Sequence, residues 1–399
     1  MRRYLIACLL LLAACAQPPT EAPPGTFAPV LRDQPTRPAP TWAEGGEQVT
    51  LQNAPAIANI GRLDAASALS TVFAYAFSPD ATRLAGLNNE QLIVWDLITG
   101  QITFNTARDQ AVYVFYSADK SEVYTVDDVG QVTVYDADTG AVKDTLDSQI
   151  QYNGVAAYYA DEGWLALGGS DGSVQVWEPS ARQSLATFIA GTGPVRTLAF
   201  SADGERLATA TFNGNVQVWD WRTRQSVARI GQAATRLAFA PDSGTLAVGG
   251  DQTIDLWDIV ANQQMFTLAT GPGAVTDVLE FSPDGQFLLN GGAIPELTIW
   301  DMATGQLVNR LPGVGGDSTA TAFSPDGSLL ATSVLGGAVN LWDMTRIREP
   351  ELARAELSVG TRQILYADWS SDGHLLLLFD ATGPIHVWGI AAQPTPAGG

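Results

Sequence analysis

The sequence is almost without cysteine and histidine. Its two cysteines, Cys8 and Cys15, fall in the first fifteen of 399 positions. Disulfides, thiolate zinc sites and cysteine nucleophiles are therefore excluded from everything that follows them. The two histidines, His374 and His386, leave little for imidazole chemistry, and neither has a metal-ligand spacing beside it. His386 reads as a packed strand residue and His374, after a turn glycine, as an exposed one. Charged residues make up only 16%. No 3.6-residue apolar period persists beyond the first few residues, which argues against long amphipathic helices. What is plentiful is apolar residues, 46%, and glycine, 39 in number. That combination suits many short buried strands joined by tight turns.

The amino terminus reads as an address. Arg2 and Arg3 precede the apolar run from Leu5 to Leu12, and Leu12-Ala-Ala-Cys15 follows. A basic start, a short apolar core and small residues describe a secretory signal, and the run is too short to span a bilayer. The ending resembles the lipobox of bacterial lipoproteins. That resemblance implies cleavage after residue 14, acylation of Cys15, and a place outside the cytoplasm on the cell membrane or outer membrane. Residues 15–54 are proline-rich, from Pro18 to Pro40, and read as an extended tether. Residues 391–399 read as a disordered tail.

Acidic residues number 42 against 21 basic, a net charge of −21, and loss of Arg2 and Arg3 with the signal brings it to −23. Such a surface repels phosphate backbones and anionic headgroups. Nucleic acid is not an expected partner, membrane attachment should come from the lipid, and protein partners should be neutral or basic.

From Val72 onward the chain repeats. An aromatic opens a turn at Phe77-Ser-Pro-Asp80, Tyr116-Ser-Ala-Asp119, Tyr159-Ala-Asp161, Phe200-Ser-Ala-Asp203, Phe239-Ala-Pro-Asp242, Phe281-Ser-Pro-Asp284, Phe323-Ser-Pro-Asp326 and Trp369-Ser-Ser-Asp372. A second aromatic follows 18 or 19 residues later: Trp95, Tyr135, Trp177, Trp219, Trp257, Trp300, Trp342 and Trp388. An acid comes next in every unit but the last, where Gly389 stands. Stretches such as Val195–Phe200 and Asn215–Trp219 alternate with the two-residue period of strands. Four antiparallel strands per unit form a sheet that cannot bury both faces alone, so copies must stack, and radial stacking closes into a propeller. The expected fold is all-β: an eight-bladed β-propeller over residues 55–390, built of four-stranded antiparallel blades. The last unit lacks a fourth strand. The segment Ala56–Leu63 has that character and is predicted to complete it beside His386–Trp388, leaving no open edge.

The Phe-Ser-Pro-Asp-Gly turn followed by a strand ending in Trp-Asp resembles the WD-repeat (WD40) family. The resemblance implies that the eight second aromatics are structural, packed on the third strand of each blade, and that the following acids serve backbone donors of the next turn. The Gly-His pair frequent in that family is missing, so blade stability is expected to rest on packing. Second-turn polar residues are read at Asn89, Asp171, Asn213 and Asp251.

The resemblance also implies a binding module, a monomeric scaffold for a protein or peptide, rather than an enzyme; no cofactor or metal site is expected. Aligned on the opening aromatic, first-strand and nearby residues suited to contact are Phe73, Tyr113, Arg196, Phe212 and Asp277, since aromatics and arginine dominate hot spots. The alternatives are a propeller enzyme of lactonase or quinoprotein type, and a role like that of the propeller lipoprotein of outer-membrane-protein assembly.

Overall fold

The computed structural model describes residues 49–50, 53, 57–64, 71–250, 252–271, 276, 278–291, 296–312, 320–333, 337–349, 354–360 and 363–390. The signal segment, Cys15, the 391–399 tail and the predicted contact residue Asp277 lie outside them, as does the turn residue Asp251.

Each opening aromatic ends an innermost strand and starts a locked turn. In the first blade Ser78 Oγ donates to Asp80 Oδ1 (2.7 Å), and Arg83 N donates back to Ser78 Oγ (3.0 Å). The same Ser–Asp lock recurs at Ser117, Ser201, Ser282, Ser324 and Ser370. A serine two residues before an aspartate therefore fixes both the bend and the register of the second strand. Second strands are buried along all or nearly all of their length, as in Leu375–Asp380. Fourth strands face solvent and read polar, as in Val142–Leu146. The third strand ends at the second aromatic. In the first six blades its pairing with the fourth strand slips there, between Val94 and Trp95 and at the matching positions through Ile299 and Trp300. Such a bulge turns the bulky ring off the regular pleat.

The described strands form eight four-stranded antiparallel sheets, and in seven of them four consecutive strands lie in chain order. In the eighth, the first strand of the chain, Ala58–Leu63, pairs antiparallel with the last, Ile385–Gly389. The predicted closure is thus present, with Asn59 opposite Trp388 and Leu63 opposite Ile385. The neighbouring blade seals the ring: Leu377, Phe379 and Val387 pack with Leu84, Ile93 and Trp95, and Tyr75 stacks on Phe379 at 4.1 Å. Val49, within the segment read as tether, is 2% exposed and joins the cluster between the seventh and eighth blades. Its N–H donates to Gly373 O at 3.3 Å.

Two rims follow from the turns. On the lower rim the first-to-second and third-to-fourth turns are tied together, as by Leu97 N to Thr82 O at 2.9 Å. On the upper rim the loop entering each first strand meets the second-to-third turn, as by Arg108 N to Glu90 O at 3.0 Å.

Three sequence expectations need correction. The turn residue of the first blade is Asn88, whose Oδ1 accepts from Glu90 N and Gln91 N, not Asn89. Asp127 and Asp380 do the same work in the second and eighth blades. His374 is not openly exposed; its side chain lies 24% accessible, 3.3 Å from Asp372 Oδ2. Packing is also not alone in holding the blades. Trp219 Nε1 donates to Thr209 Oγ1 (3.1 Å) and Trp342 Nε1 to Thr332 Oγ1 (2.8 Å), so an indole–hydroxyl bond persists without the histidine. His386 is buried, its ring between Asn59 Nδ2 (3.3 Å) and Asp380 Oδ2 (3.4 Å).

Candidate partner-binding rim and central channel

The eight second aromatics sit in the third strands and point between blades; all are buried except Trp257, which is half-buried. The six aspartates that follow accept from turn N–H groups, as Asp96 does from Ile98 N (2.9 Å) and Thr99 N (2.8 Å), whereas Glu178 makes no such bond. These residues hold the scaffold.

Ion pairs between blades take up part of the lower rim's charge. Lys120 of the second blade pairs with Asp80 of the first, and Arg83 of the first with Asp138 of the second (2.7 Å). Arg182 of the third blade reaches Glu122 of the second (2.8 Å), while Arg348 reaches Asp301. Burial pushes the Asp80 carboxyl up, but hydrogen bonds from Lys120, Ser78 and Thr82 outweigh it and hold the group well below the ordinary carboxylate range. For Glu122 burial is likewise outweighed by Arg182, and the carboxyl is lowered. These are struts between blades.

Arginines face rings on both rims, and on the lower rim the exposed Arg222 lies over Trp164 (4.5 Å) and Trp221 (4.4 Å). Arg196 is exposed and its guanidinium lies 5.7 Å from the Phe212 ring. Phe212 is 66% exposed at the second-to-third turn of the fourth blade, and its N–H is anchored on Pro194 O (2.8 Å). Gly191 and Gly193 bring the third-to-fourth blade loop against this turn. A Cβ at Gly193, whose φ is +77°, would lie 2.4 Å from Asn213 Nδ2, so a side chain there would displace the turn. Two residues before that loop's first glycine, Ile189 is 61% exposed. Arg196 and Phe212 therefore make one amphipathic pair on the rim, with the exposed Ile189 at the far end of the same loop. Sequence reasoning missed Ile189, although a large apolar residue ending a polar fourth strand was a visible signal.

The other expected contact residues do not join this pair. Phe73, at the position matching Arg196 in the first blade, is half-buried against the first–second blade cluster, with Arg108 5.2 Å above its ring. Tyr113 is 3% exposed, and its hydroxyl donates to Gly154 O (2.9 Å). Burial pushes its pKa up to about 12. It belongs to the wall of the central channel, which encloses about 450 Å³.

Gly168-Gly-Ser-Asp-Gly172 has the Gly-x-Ser-x-Gly spacing of a hydrolase nucleophile elbow. It is a turn between two strands, not a strand-to-helix bend. Ser170 Oγ donates to Gln151 Oε1 (3.1 Å), and both histidines of the chain lie in the eighth blade. The spacing does not build the triad logic such an elbow serves.

The family model for the WD40 repeat (WD domain, G-beta repeat) matches residues 182–220, 227–258 and 305–343. Each matched stretch runs from the fourth strand of one blade to the Trp-Asp ending of the next, so these three stretches match the WD40 repeat in the same stagger that closes the ring. No curated protein matches the chain. Among solved structures, a crystal structure of the computationally designed Ika8 protein is similar, with a TM-score of 0.66 and 22% identity, covering 82% of this chain and 98% of that one. At that identity the likeness speaks to the fold alone.

Proposed function

We propose that this propeller is a membrane-tethered, extracytoplasmic scaffold that binds a protein or peptide on its upper rim, as a monomer and without turnover. WD40 repeats and the eight-bladed fold support the scaffold reading in its general form. The observation that carries the choice of rim is the exposed Phe212 ring, which Arg196 faces. The exposed lower-rim Arg222 also faces rings, but those of Trp164 and Trp221 are half-buried and buried. Arginine over an accessible aromatic is the composition of an interface anchor. A neutral or basic partner is favoured by the overall charge of −21. The anchor rests on the resemblance of Leu12-Ala-Ala-Cys15 to a lipobox. Among the described residues no helix is long and apolar enough to cross a membrane.

The test uses the full chain, tagged at its carboxyl terminus, to recover partners from cross-linked membranes. Phe212→Ala and Arg196→Glu should each abolish recovery of the same partner, while Val260→Asp, an exposed apolar position on the lower rim, should not. Loss with Val260→Asp and retention with the other two would assign binding to the opposite rim. In parallel, Cys15→Ser should abolish incorporation of labelled palmitate and release the chain from membranes. Retention of both would refute the anchor.

A further inference from the structure

Charge is not shared evenly among the blades. The fourth, residues 195–230, holds five arginines, Arg196, Arg206, Arg222, Arg224 and Arg229, against three acids, Asp203, Glu205 and Asp220. In each of the other blades acids outnumber bases, by seven to two over residues 111–146 of the second. The pairing of the charges differs as well. Outside the fourth blade eight cations meet carboxylates, from Arg62 on Asp64 to Arg348 on Asp301. Among the described residues, none of the fourth blade's five arginines is in an ion pair. Arg206 gives a donor to Ser243 O (2.8 Å), and Arg196 faces Phe212. That leaves Arg222, Arg224 and Arg229, all exposed, whose guanidinium groups donate no hydrogen bond within the described chain. The blade's own acids do not claim them: Asp220 accepts from Thr223 N (2.9 Å), and Asp203 from Ser201 Oγ and Glu205 N. The Trp164 and Trp221 rings hold Arg222 at 4.5 and 4.4 Å, which fixes its position and leaves its N–H donors unused. Solubility does not call for these cations, since each brings a net charge of −21 nearer to zero.

The three lie on one stretch of chain. Arg222 and Arg224 stand in the lower-rim turn that leads into the blade's outermost strand, Gln225–Ile230, and Arg229 stands near that strand's far end. Ala228 and Ile230 are buried against the fifth blade. Alternation therefore turns Val227, 42% exposed, and Arg229 to the opposite face. No described strand pairs with the outer side of Gln225–Ile230, so its edge is open to another chain. We propose that the outer face of the fourth blade docks an extended acidic segment of a partner protein. The segment lies along Gln225–Ile230, with carboxylates on Arg222, Arg224 and Arg229 and an apolar side chain on Val227. Strand addition supplies main-chain hydrogen bonds, and arginine's paired N–H donors supply the choice of acid. From Arg224 to Arg229 the strip runs about 17 Å of extended chain. The neighbouring blades decide that the partner is narrow. A broad anionic surface, such as a membrane or a second copy of this chain, would also meet Asp161, Glu162, Asp242 and Asp258 in the lower-rim turns on either side. A single extended segment avoids them. At physiological salt charges more than about 8 Å away are largely screened, so the local arginines outweigh the net charge. This face is apart from the upper rim and does not rest on the reading given for it.

Fluorescence anisotropy on the full chain in detergent, at physiological salt, tests the proposal. The probes are labelled acetyl-Gly-Glu-Asp-Val-Glu-Asp-Gly amide and its counterpart with Gln and Asn in place of the acids. Three exposed ion pairs of ordinary strength should make the acidic peptide bind about tenfold more tightly than the neutral one. Arg222→Gln, Arg224→Gln and Arg229→Gln combined should erase that preference. Arg310→Gln, at an exposed cation already paired with Glu296, should keep it. Equal affinity of the two peptides for the unmodified chain, or no binding of the acidic one at millimolar concentration, overturns the proposal whether or not a variant folds. A preference that survives the triple change overturns it too. Vesicles containing phosphatidylglycerol, offered to the Cys15→Ser chain, separate a membrane from a protein segment. Vesicle binding that the triple change abolishes would give the strip to headgroups, and self-association in sedimentation lost with the same change would give it to a second copy. Each of these results overturns the acidic segment. Partner recovery that depends on Phe212 is untouched by any of them, so the two sites fail separately.

Discussion

The indole–hydroxyl bonds give the sharpest test of how a blade is held. Thr209 is fully buried in the second strand of the fourth blade, and Trp219 Nε1 donates to its Oγ1 at 3.1 Å. Register places Val248 at the matching position of the fifth blade: Leu207 pairs Trp219 and Thr209 pairs Gln217, as Leu246 pairs Trp257 and Val248 pairs Asp255. There the buried Trp257 Nε1 has no acceptor. Thr209→Val keeps the shape and strands one buried N–H, which should cost about 1–3 kcal/mol. Val248→Thr buries a hydroxyl that would ordinarily cost a similar amount, about 1–3 kcal/mol. Here it meets a waiting indole donor and a strand carbonyl that can accept its proton, so the net change should lie between zero and about 1 kcal/mol stabilising. Urea unfolding followed by far-UV circular dichroism, with an unchanged slope, measures both. Trp219→Phe removes the donor, so Thr209→Val should become cheaper in that background by about 1 kcal/mol. An unchanged cost in the phenylalanine background, with Val248→Thr as damaging as Thr209→Val, would refute the reasoning.

Acid should loosen the ring. Asp80, Asp301 and Glu122 are held down because ion pairs and hydrogen bonds outweigh burial, Asp119 by Ser117, and Asp136 is lowered to about 2 by Thr139. Depressed carboxyls contribute stability that is present above their unfolded pKa of about 4 and lost as pH falls through the folded values. Thermal melts should therefore hold from neutral pH to about 4 and drop below it, with high salt shifting them little where struts are partly buried. A flat profile down to about pH 2 would contradict the struts. At the other extreme, eight of the ten tyrosines are pushed above their ordinary pKa, chiefly by burial, Tyr113 and Tyr159 to about 12. Raised groups contribute stability that is complete below about pH 10 and declines above it. Tyrosinate absorbance should lag the free phenol and rise together with unfolding; ordinary titration of most tyrosines near pH 10 would contradict their burial.

The propeller was legible because each repeat writes two constraints into one phase. In six of the eight repeats a Ser-x-Asp after the first aromatic locks a turn, and the second aromatic, 18 or 19 residues on, must be covered by the next blade. Neither constraint needs a tryptophan, which is why Tyr135 serves the second blade while buried as deeply as Trp95. The closing strand was legible from a deficit, since a unit ending at Trp388-Gly389 lacks its fourth strand. Turn residues were harder. Whether Asn88 or Asn89 closes a bend depends on turn length, and the side chain that reaches both N–H groups is set by backbone geometry that composition does not encode.

The site was read less well because exposure at a rim is decided by neighbours distant in sequence. Phe73 and Phe212 look alike on the page, yet Phe73 lies down on the adjoining blade while Phe212 stands in solvent. Tyr113 is drawn into the wall because Gly154, in the next blade, leaves a carbonyl at hydrogen-bond distance. The acids of the channel wall are a different case. Glu280 and Asp368 stand out only when the column one before the opening aromatic is read down all eight repeats, whereas the column four before it draws the eye to contact residues. In a ring of near-copies the repeats act as one another's controls. A residue that every blade shares belongs to the fold, and one that departs from its column, as Glu280 and Asp368 do, stands out against it.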